Sequence, residues 1–293
     1  MNGRSLMNSN EENKDEFHLD RDYSLPILTM FTSWVPSKEK YLCRNTTVLN
    51  WRKFEPYITP ILFTNITDLK QRVEQKGWKT LPVIKTNSAI PVLKHMYLMA
   101  SAHFKSTFYA YANGDILFTE SLFKTMIAVV RCFEGQNKTI LIVGQRTNVK
   151  NISKLQAVSF DSLRRISAER GSLFTPWGVD FFITSANYPW KKMPDVVIGR
   201  VAYDNFIILE SIRRNVVVID ATRTLLAVHH TTKSGNFEGH SKPNGSLNYV
   251  IINHYYSNTH VDFAKGQVIC SNYFSDYLKN GTIVINKKTV PPC

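Results

Sequence analysis

No run of about 18 apolar residues occurs in the chain, so no helix long and apolar enough to span a membrane is expected. Acidic residues are scarce: 23 Asp and Glu stand against 36 Lys and Arg, a net charge of +13. That excess favours anionic partners such as phosphates, nucleotides, nucleic acid or acidic glycans. The basic residues are scattered, however, in short clusters such as Lys191-Lys192, Arg213-Arg214 and Lys287-Lys288. Neither a basic recognition helix nor a nucleic-acid motif is visible, so no nucleic-acid partner is expected and a diphosphate-bearing small molecule accounts for the charge at least as well. The four cysteines, Cys43, Cys132, Cys270 and Cys293, lack Cys-x-x-Cys spacing, which argues against structural zinc. One or two disulfides are allowed, and a Cys270–Cys293 bridge would clip the C-terminal tail. The nucleophile elbow, the Walker A loop, His-Glu-x-x-His and a Gly-x-Gly-x-x-Gly after the first strand are all missing, which removes several enzyme classes.

What is present is a globular composition, 43% hydrophobic and 12% aromatic over 293 residues. Met1 to about Tyr23 is polar and charged and reads as a flexible N-terminal tail (1–23), leaving 24–293 as a single domain. That tail has no apolar signal-peptide core. Six glycosylation sequons, at Asn45, Asn65, Asn137, Asn151, Asn244 and Asn280, point the other way, towards a secretory lumen such as the Golgi or endoplasmic reticulum. Both compartments, lumen and cytoplasm, stay open.

From Pro26 the pattern alternates. Short apolar strands at 26–31, 60–64, 81–84, 108–112 and 140–144 are separated by amphipathic segments. Ser37, Asp68 and Thr119 read as caps of the helices that follow, and Pro91 suits a first helical turn. Strands alternating with helices imply βα units and a mostly parallel central sheet flanked by helices, an α/β fold. Further strands are expected at 178–183, 216–220 and 224–230, with a helix from about Asp204 to Arg214.

The most informative segment is Tyr111-Ala112-Asn113-Gly114-Asp115, where a buried strand ends in Asn-Gly-Asp. Asn-Gly is a common turn. A carboxylate at the C-terminal edge of a strand also lies where α/β sheets bind ligands, and with Asn113 it can offer oxygens to a divalent cation. Asp204 opens a helix and is either its cap or a general base that takes a proton from an acceptor hydroxyl. His229 and His230 close a strand, and neighbouring strand residues point to opposite faces, so one of them can join Asp115. Arg200 follows a glycine turn and can bind phosphate or make a structural ion pair. Strand ends on one sheet edge converge, which would bring these groups into one cleft.

These segments, with Val143-Gly144-Gln145-Arg146, Gly178-Val179-Asp180-Phe181-Phe182, Tyr203-Asp204-Asn205 and Ile219-Asp220-Ala221-Thr222, resemble nucleotide-diphospho-sugar transferases with the Rossmann-like GT-A fold. The resemblance runs from about Leu25 to His230. It implies a glycosyltransferase that moves a sugar from a nucleotide-diphosphate donor to the hydroxyl of a glycan, protein or lipid, assisted by Mn2+ or Mg2+. Asn113-Gly114-Asp115 matches the Asp-x-Asp position of the family, with Asn replacing the first Asp. The resemblance makes Asp115 with His229 or His230 the metal ligands and Asp204 the base. It places Gly178 and Asp180 on the acceptor side, and Asn87, Asn113 and Arg200 near the donor. The Asn at 113 keeps one alternative open, a non-catalytic carbohydrate- or protein-binding module on the same fold.

Overall fold

The computed structural model describes residues 26–289 and Cys293; the tail expected at 1–23 lies outside them. Alternation begins at once. Strand β1 (Leu28–Ser33) leads to helix α1 (Tyr41–Arg52), β2 (Ile58–Phe63), α2 (Thr67–Glu74) and β3 (Lys79–Leu81). A small hairpin follows, β4 (Thr86–Asn87) and β5 (Ile90–Pro91), then α3 (Leu93–His103), β6 (Phe108–Ala112), β7 (Ile116–Phe118) and α4 (Ser121–Cys132). Next come β8 (Ile140–Val143), β9 (Thr147–Lys150), α5 (Lys154–Val158), α6 (Phe160–Arg170), β10 (Ser172–Leu173) and β11 (Phe181–Ser185). The remainder is α7 (Tyr203–Arg213), β12 (Val217–Asp220), β13 (Ala227–Thr231), α8 (Glu238–Ser241), α9 (Leu247–Tyr255), β14 (Tyr273–Tyr277) and β15 (Ile283–Lys287).

The central sheet has the order β15-β14-β12-β8-β11-β6-β1-β2-β3. Its strands run parallel except β11, antiparallel to both neighbours, and the edge strand β15. Period-two alternation divides the core between the two faces. Leu28 and Met30 of β1, Ala110 of β6 and Ile142 of β8 pack with Val48 and Trp51 of α1 and Met126 of α4. Phe31, Tyr111 and Leu141 from the same strands face the other way, against Tyr97 of α3 and Phe206 of α7. Both faces are covered, which is why these strands read as nearly continuous apolar runs.

Several boundaries differ from expectation for local reasons. The third strand is Lys79–Leu81 rather than 81–84, because Pro82 has no N–H to extend the ladder. Val83 N donates instead to Asn65 Oδ1 at 2.9 Å. None of the three expected caps is the cap residue: Lys40, Ile66 and Glu120 hold those positions. Asp68 sits in the first turn of α2, where its charge complements the helix dipole.

The larger correction concerns β13. It does not join the central sheet but a second, four-stranded sheet of order β10-β9-β13-β7. The histidines therefore do not reach Asp115 along one sheet edge. They arrive because β13 pairs antiparallel with β7, placing His229 opposite Ile116, and because His230 N donates to the carbonyl of Asp115 at 2.8 Å.

Candidate active site

A cavity of about 1040 Å3 opens at the C-terminal ends of β1, β2 and β6. Its wall includes Asp115, Asp180, Asp204, His229, Arg146 and Arg200. Asp180 joins them because β11 is antiparallel: the residue before an antiparallel strand lies at the edge where its parallel neighbour ends. The pairing of Phe181 with Ala112 and the bond from Asn113 N to the Asp180 carbonyl, 2.8 Å, fix that register.

The Asn-Gly-Asp segment is a turn that also lines the cavity. Gly114 has no positive φ to explain it. A Cβ there would instead collide with the Trp34 ring and with the Arg44 guanidinium, which pack over the turn. Both ends of the Asn113 carboxamide are committed to protein: Nδ2 donates to Asp180 Oδ1, and Oδ1 accepts from the Tyr111 hydroxyl at 2.8 Å.

Asp115 is buried, with Oδ2 lying 3.3 Å from Lys40 Nζ and 3.7 Å from His229 Nε2. Burial opposes its charge, but His229, Arg44 and Lys40 outweigh burial and hold the carboxyl well below its usual range. The His229 tautomer follows from a chain of donors. Arg146 Nε, an obligate donor, lies 3.1 Å from Asn148 Oδ1, so that atom is an acceptor. His229 Nδ1 lies 3.0 Å from the same oxygen and is therefore the protonated nitrogen. In the neutral ring Nε2 then presents its lone pair to the Asp115 carboxylate. Two electron-pair donors facing each other call for a positive charge between them: a proton on Nε2, or a metal cation in its place. The donor set thus fits a hard divalent ion that takes its other ligands from phosphate and water. Among the described residues no cluster of three or more His, Cys, Asp or Glu forms a self-sufficient metal cage.

His230 turns the other way. Its Nδ1 lies 3.0 Å from Thr46 Oγ1, outside the cavity wall, and burial lowers its pKa to about 4, so the ring is neutral. Asn87 is also off the wall, although its neighbours Thr86 and Ala89 line it. Arg200 lines the cavity, and its donors go to the carbonyls of Pro243 and Gly199, each at 2.8 Å, rather than to a carboxylate. Gly178 lies on the wall with the Phe174 ring against it, leaving no room for a Cβ.

Asp204 is not the cap of its helix. Ala202, in the left-handed region at φ 75°, holds that position, and Asp204 falls in the first turn of α7. The Asp204 carboxyl faces the cavity and accepts from Val179 N at 3.4 Å. Burial pushes its pKa up to about 7, despite backbone N–H donors from Asn205 and Val179 and with a further push from Asp180. A carboxyl poised near neutrality in a cavity wall has the property that a general base needs.

No protein-family model and no curated protein matches the sequence. Among solved structures, the chain is similar to glucosyl-3-phosphoglycerate synthase from Mycobacterium tuberculosis, in complex with Mn2+, uridine diphosphate and phosphoglyceric acid. The identity is 10%, the TM-score 0.42, and the match covers 92% of this chain and 88% of that one. A shorter match is to S. aureus TarS 1-349 in complex with UDP-GlcNAc, at 17% identity and TM-score 0.30, over 42% of this chain and 35% of that one. Overlaps of this size are loose.

Four residues of the cavity wall escape a reading by sequence. Arg146 forms a buried ion pair with Asp180 and lies 4.1 Å over the Phe174 ring. Lys40 enters from the N-cap of α1 and Arg44 from its first turn, and Glu238 enters from α8, where it meets Lys40 Nζ at 2.8 Å. Lys40 and Arg44 are four residues apart, the spacing of one helical turn, but nothing local marks that turn as facing Asp115. Arg146 stands in a segment that resembles the GT-A enzymes, and that was the one available signal.

Proposed function

We propose that the chain is a nucleotide-sugar-dependent glycosyltransferase. The observation that carries this is the shared wall of one cavity. Asp115 and His229 face each other across a gap suited to a cation, and a second carboxyl, Asp204, has a pKa of about 7. A cavity of about 1040 Å3 has room for a nucleotide sugar with an acceptor group beside it. Asp204 takes the proton from the acceptor hydroxyl as that oxygen bonds to the anomeric carbon, while the bond from that carbon to the diphosphate oxygen breaks. With its pKa near 7, the carboxyl then gives that proton to solvent before the next turnover at neutral pH. Mn2+ or Mg2+, held by Asp115 and His229, would supply Lewis-acid stabilisation to the departing diphosphate. Arg146 fixes Asp180, which in turn holds Asn113 and the turn carrying Asp115.

A lumenal setting belongs to the same proposal. Cys270 and Cys293 form a disulfide, as an oxidising compartment allows, and the sequons at Asn137, Asn151, Asn244 and Asn280 are exposed. Asn65 is an exception in kind: both ends of its side chain bond the backbone of Val83, so a glycan there would cost that clasp.

Thermal-shift measurements with UDP, GDP and CMP, with and without Mn2+, test the reading. At least one nucleotide should raise the melting temperature, and Asp204→Asn should abolish transfer while leaving that shift intact. No stabilisation by any of the three under either condition would overturn it.

A further inference from the structure

The positive charge at this site is not confined to a metal. Lys40 is buried, and its ammonium lies 3.3 Å from Asp115 Oδ2 and 2.8 Å from Glu238 Oε2. Two carboxylate contacts leave one of its three donors unused. One turn further along α1, Arg44 also lines the cavity. Its Nε is buried without a hydrogen-bond partner, and among the described residues no carboxylate forms an ion pair with it. The guanidinium is pinned from both sides: it lies 5.2 Å from the centre of the Trp34 ring and packs on Gly114. A guanidinium without a carboxylate partner among the described residues, beside an ammonium with one donor to spare, is a seat for a dianion, since phosphate oxygens accept from both.

We propose that Lys40 and Arg44 form a fixed cationic seat for the diphosphate of the donor, so that nucleoside diphosphates bind this chain without a divalent metal. The inference rests on the reading of the cavity as a nucleotide-sugar site, and it goes further by assigning to two side chains part of the charge neutralisation that a metal on Asp115 would supply. The composition of the turn agrees with it. The first residue of Asn113-Gly114-Asp115 is a neutral amide spent on Tyr111 and Asp180, so the turn presents one carboxylate rather than two. Lys40 and His229 already surround that carboxylate. Glu238 competes with the ligand for Lys40. It is held further by Lys242 Nζ at 2.7 Å, and hydrogen bonds to these lysines lower its pKa to about 2 against the opposing effect of burial. An incoming diphosphate therefore shares the ammonium with a permanent acceptor on α8, which sets a modest affinity that the loss of that acceptor raises.

Isothermal titration of the full chain with UDP, GDP and inorganic pyrophosphate, in EDTA and in Mn2+, tests the seat. At least one of them should bind in EDTA within about tenfold of its affinity in Mn2+. Arg44→Gln should weaken binding in EDTA by about tenfold or more, since it removes an unpaired charge. Glu238→Gln should tighten binding in EDTA, and because it removes a competing carboxylate rather than a cation it separates the seat from any loss of folding. Circular dichroism confirms that each variant is folded. Binding seen in Mn2+ but absent in EDTA overturns the seat and leaves the glycosyltransferase reading standing. An Arg44→Gln variant with unchanged affinity in EDTA overturns it too. Absence of binding in both conditions overturns the seat and the reading of the cavity together.

Discussion

Arg146→Met is the most demanding test of how the site is held. The pair Arg146–Asp180 is buried, with side-chain exposures of 6% and 7%. Arg146 Nη1 donates to Asp180 Oδ2, Nε to Asn148 Oδ1 at 3.1 Å, and Nη2 to Asn236 Oδ1 at 3.3 Å. Methionine keeps most of the stem volume but leaves Asp180 Oδ2 in the interior without its cation. Breaking a buried pair from one side costs about 3–5 kcal/mol, because the remaining charge is uncompensated. Loss of the contact over Phe174 adds about 0.5–2 kcal/mol. The expected loss is therefore at least about 3 kcal/mol. Such a loss is a large share of a typical stability of about 5–15 kcal/mol, though not all of it.

Equilibrium urea unfolding followed by circular dichroism measures this directly, on Arg146→Met, Asp180→Asn and the double variant. Asp180→Asn removes the charge that Arg146 was neutralising, so the double variant should be more stable than the sum of the single losses predicts. A coupling of about 2 kcal/mol or more is expected for groups in direct contact. A single-variant loss below about 1 kcal/mol, with additive effects in the double variant, would show that the pair is not the anchor of the turn. The denaturant slope should stay constant across the set.

Asp204 gives a pH prediction. The base must be charged, and its pKa is about 7, so the rate should rise with pH through about 7 and level off above it; a rate flat from pH 6 to pH 8 would refute the assignment. Gly114→Ala should weaken nucleotide binding in a titration while largely preserving the far-ultraviolet spectrum, because the new Cβ must displace Trp34 and Arg44 from the turn. Glu210 accepts from Arg214 Nε at 2.7 Å, from the Tyr255 hydroxyl at 2.8 Å and from Tyr256. Glu210→Leu, which strands those donors, should cost about 1–3 kcal/mol in urea unfolding, with no change in nucleotide affinity. Reducing Cys270–Cys293, which closes a loop of sequence separation 23, should lower stability by about 3 kcal/mol in the chain-entropy account.

The fold was legible wherever local chemistry and burial agree. Phe108–Ala112 and Ile140–Val143 are covered by helices on both faces, so their apolar runs identify them as strands without any partner being known. Helix ends were less legible, because the residues at the caps of α1, α2 and α4 make no side-chain capping bond and so carry no composition signal. The departure of β13 to a second sheet was not legible at all. Thr224 to His230 reads as one more strand, and only its antiparallel register with Ile116–Phe118 decides where it goes.

The candidate site divides along the same line, and the division has a physical cause. Asp115 and Asp204 stand at element ends, where sequence marks a position through a turn or a helix start. His229 could not be separated from His230, since alternation says only that the two face opposite ways; Asn148 and Thr46, 81 and 184 residues away in sequence, decide which one meets Asp115. Lys40, Arg44 and Arg146 are cations among 36, and what distinguishes them is burial and the carboxylates they find or lack. Arg44 is the sharpest case. Among the described residues its Nε finds no partner, a property of the assembled wall that no spacing along α1 encodes. A site whose acids sit at strand and helix ends, and whose bases come from helix faces and loops, shows its acids to a sequence reader first. Asp115 is therefore marked by the turn that carries it, whereas the cations beside it are placed by the packing of Arg44 and Trp34 over Gly114.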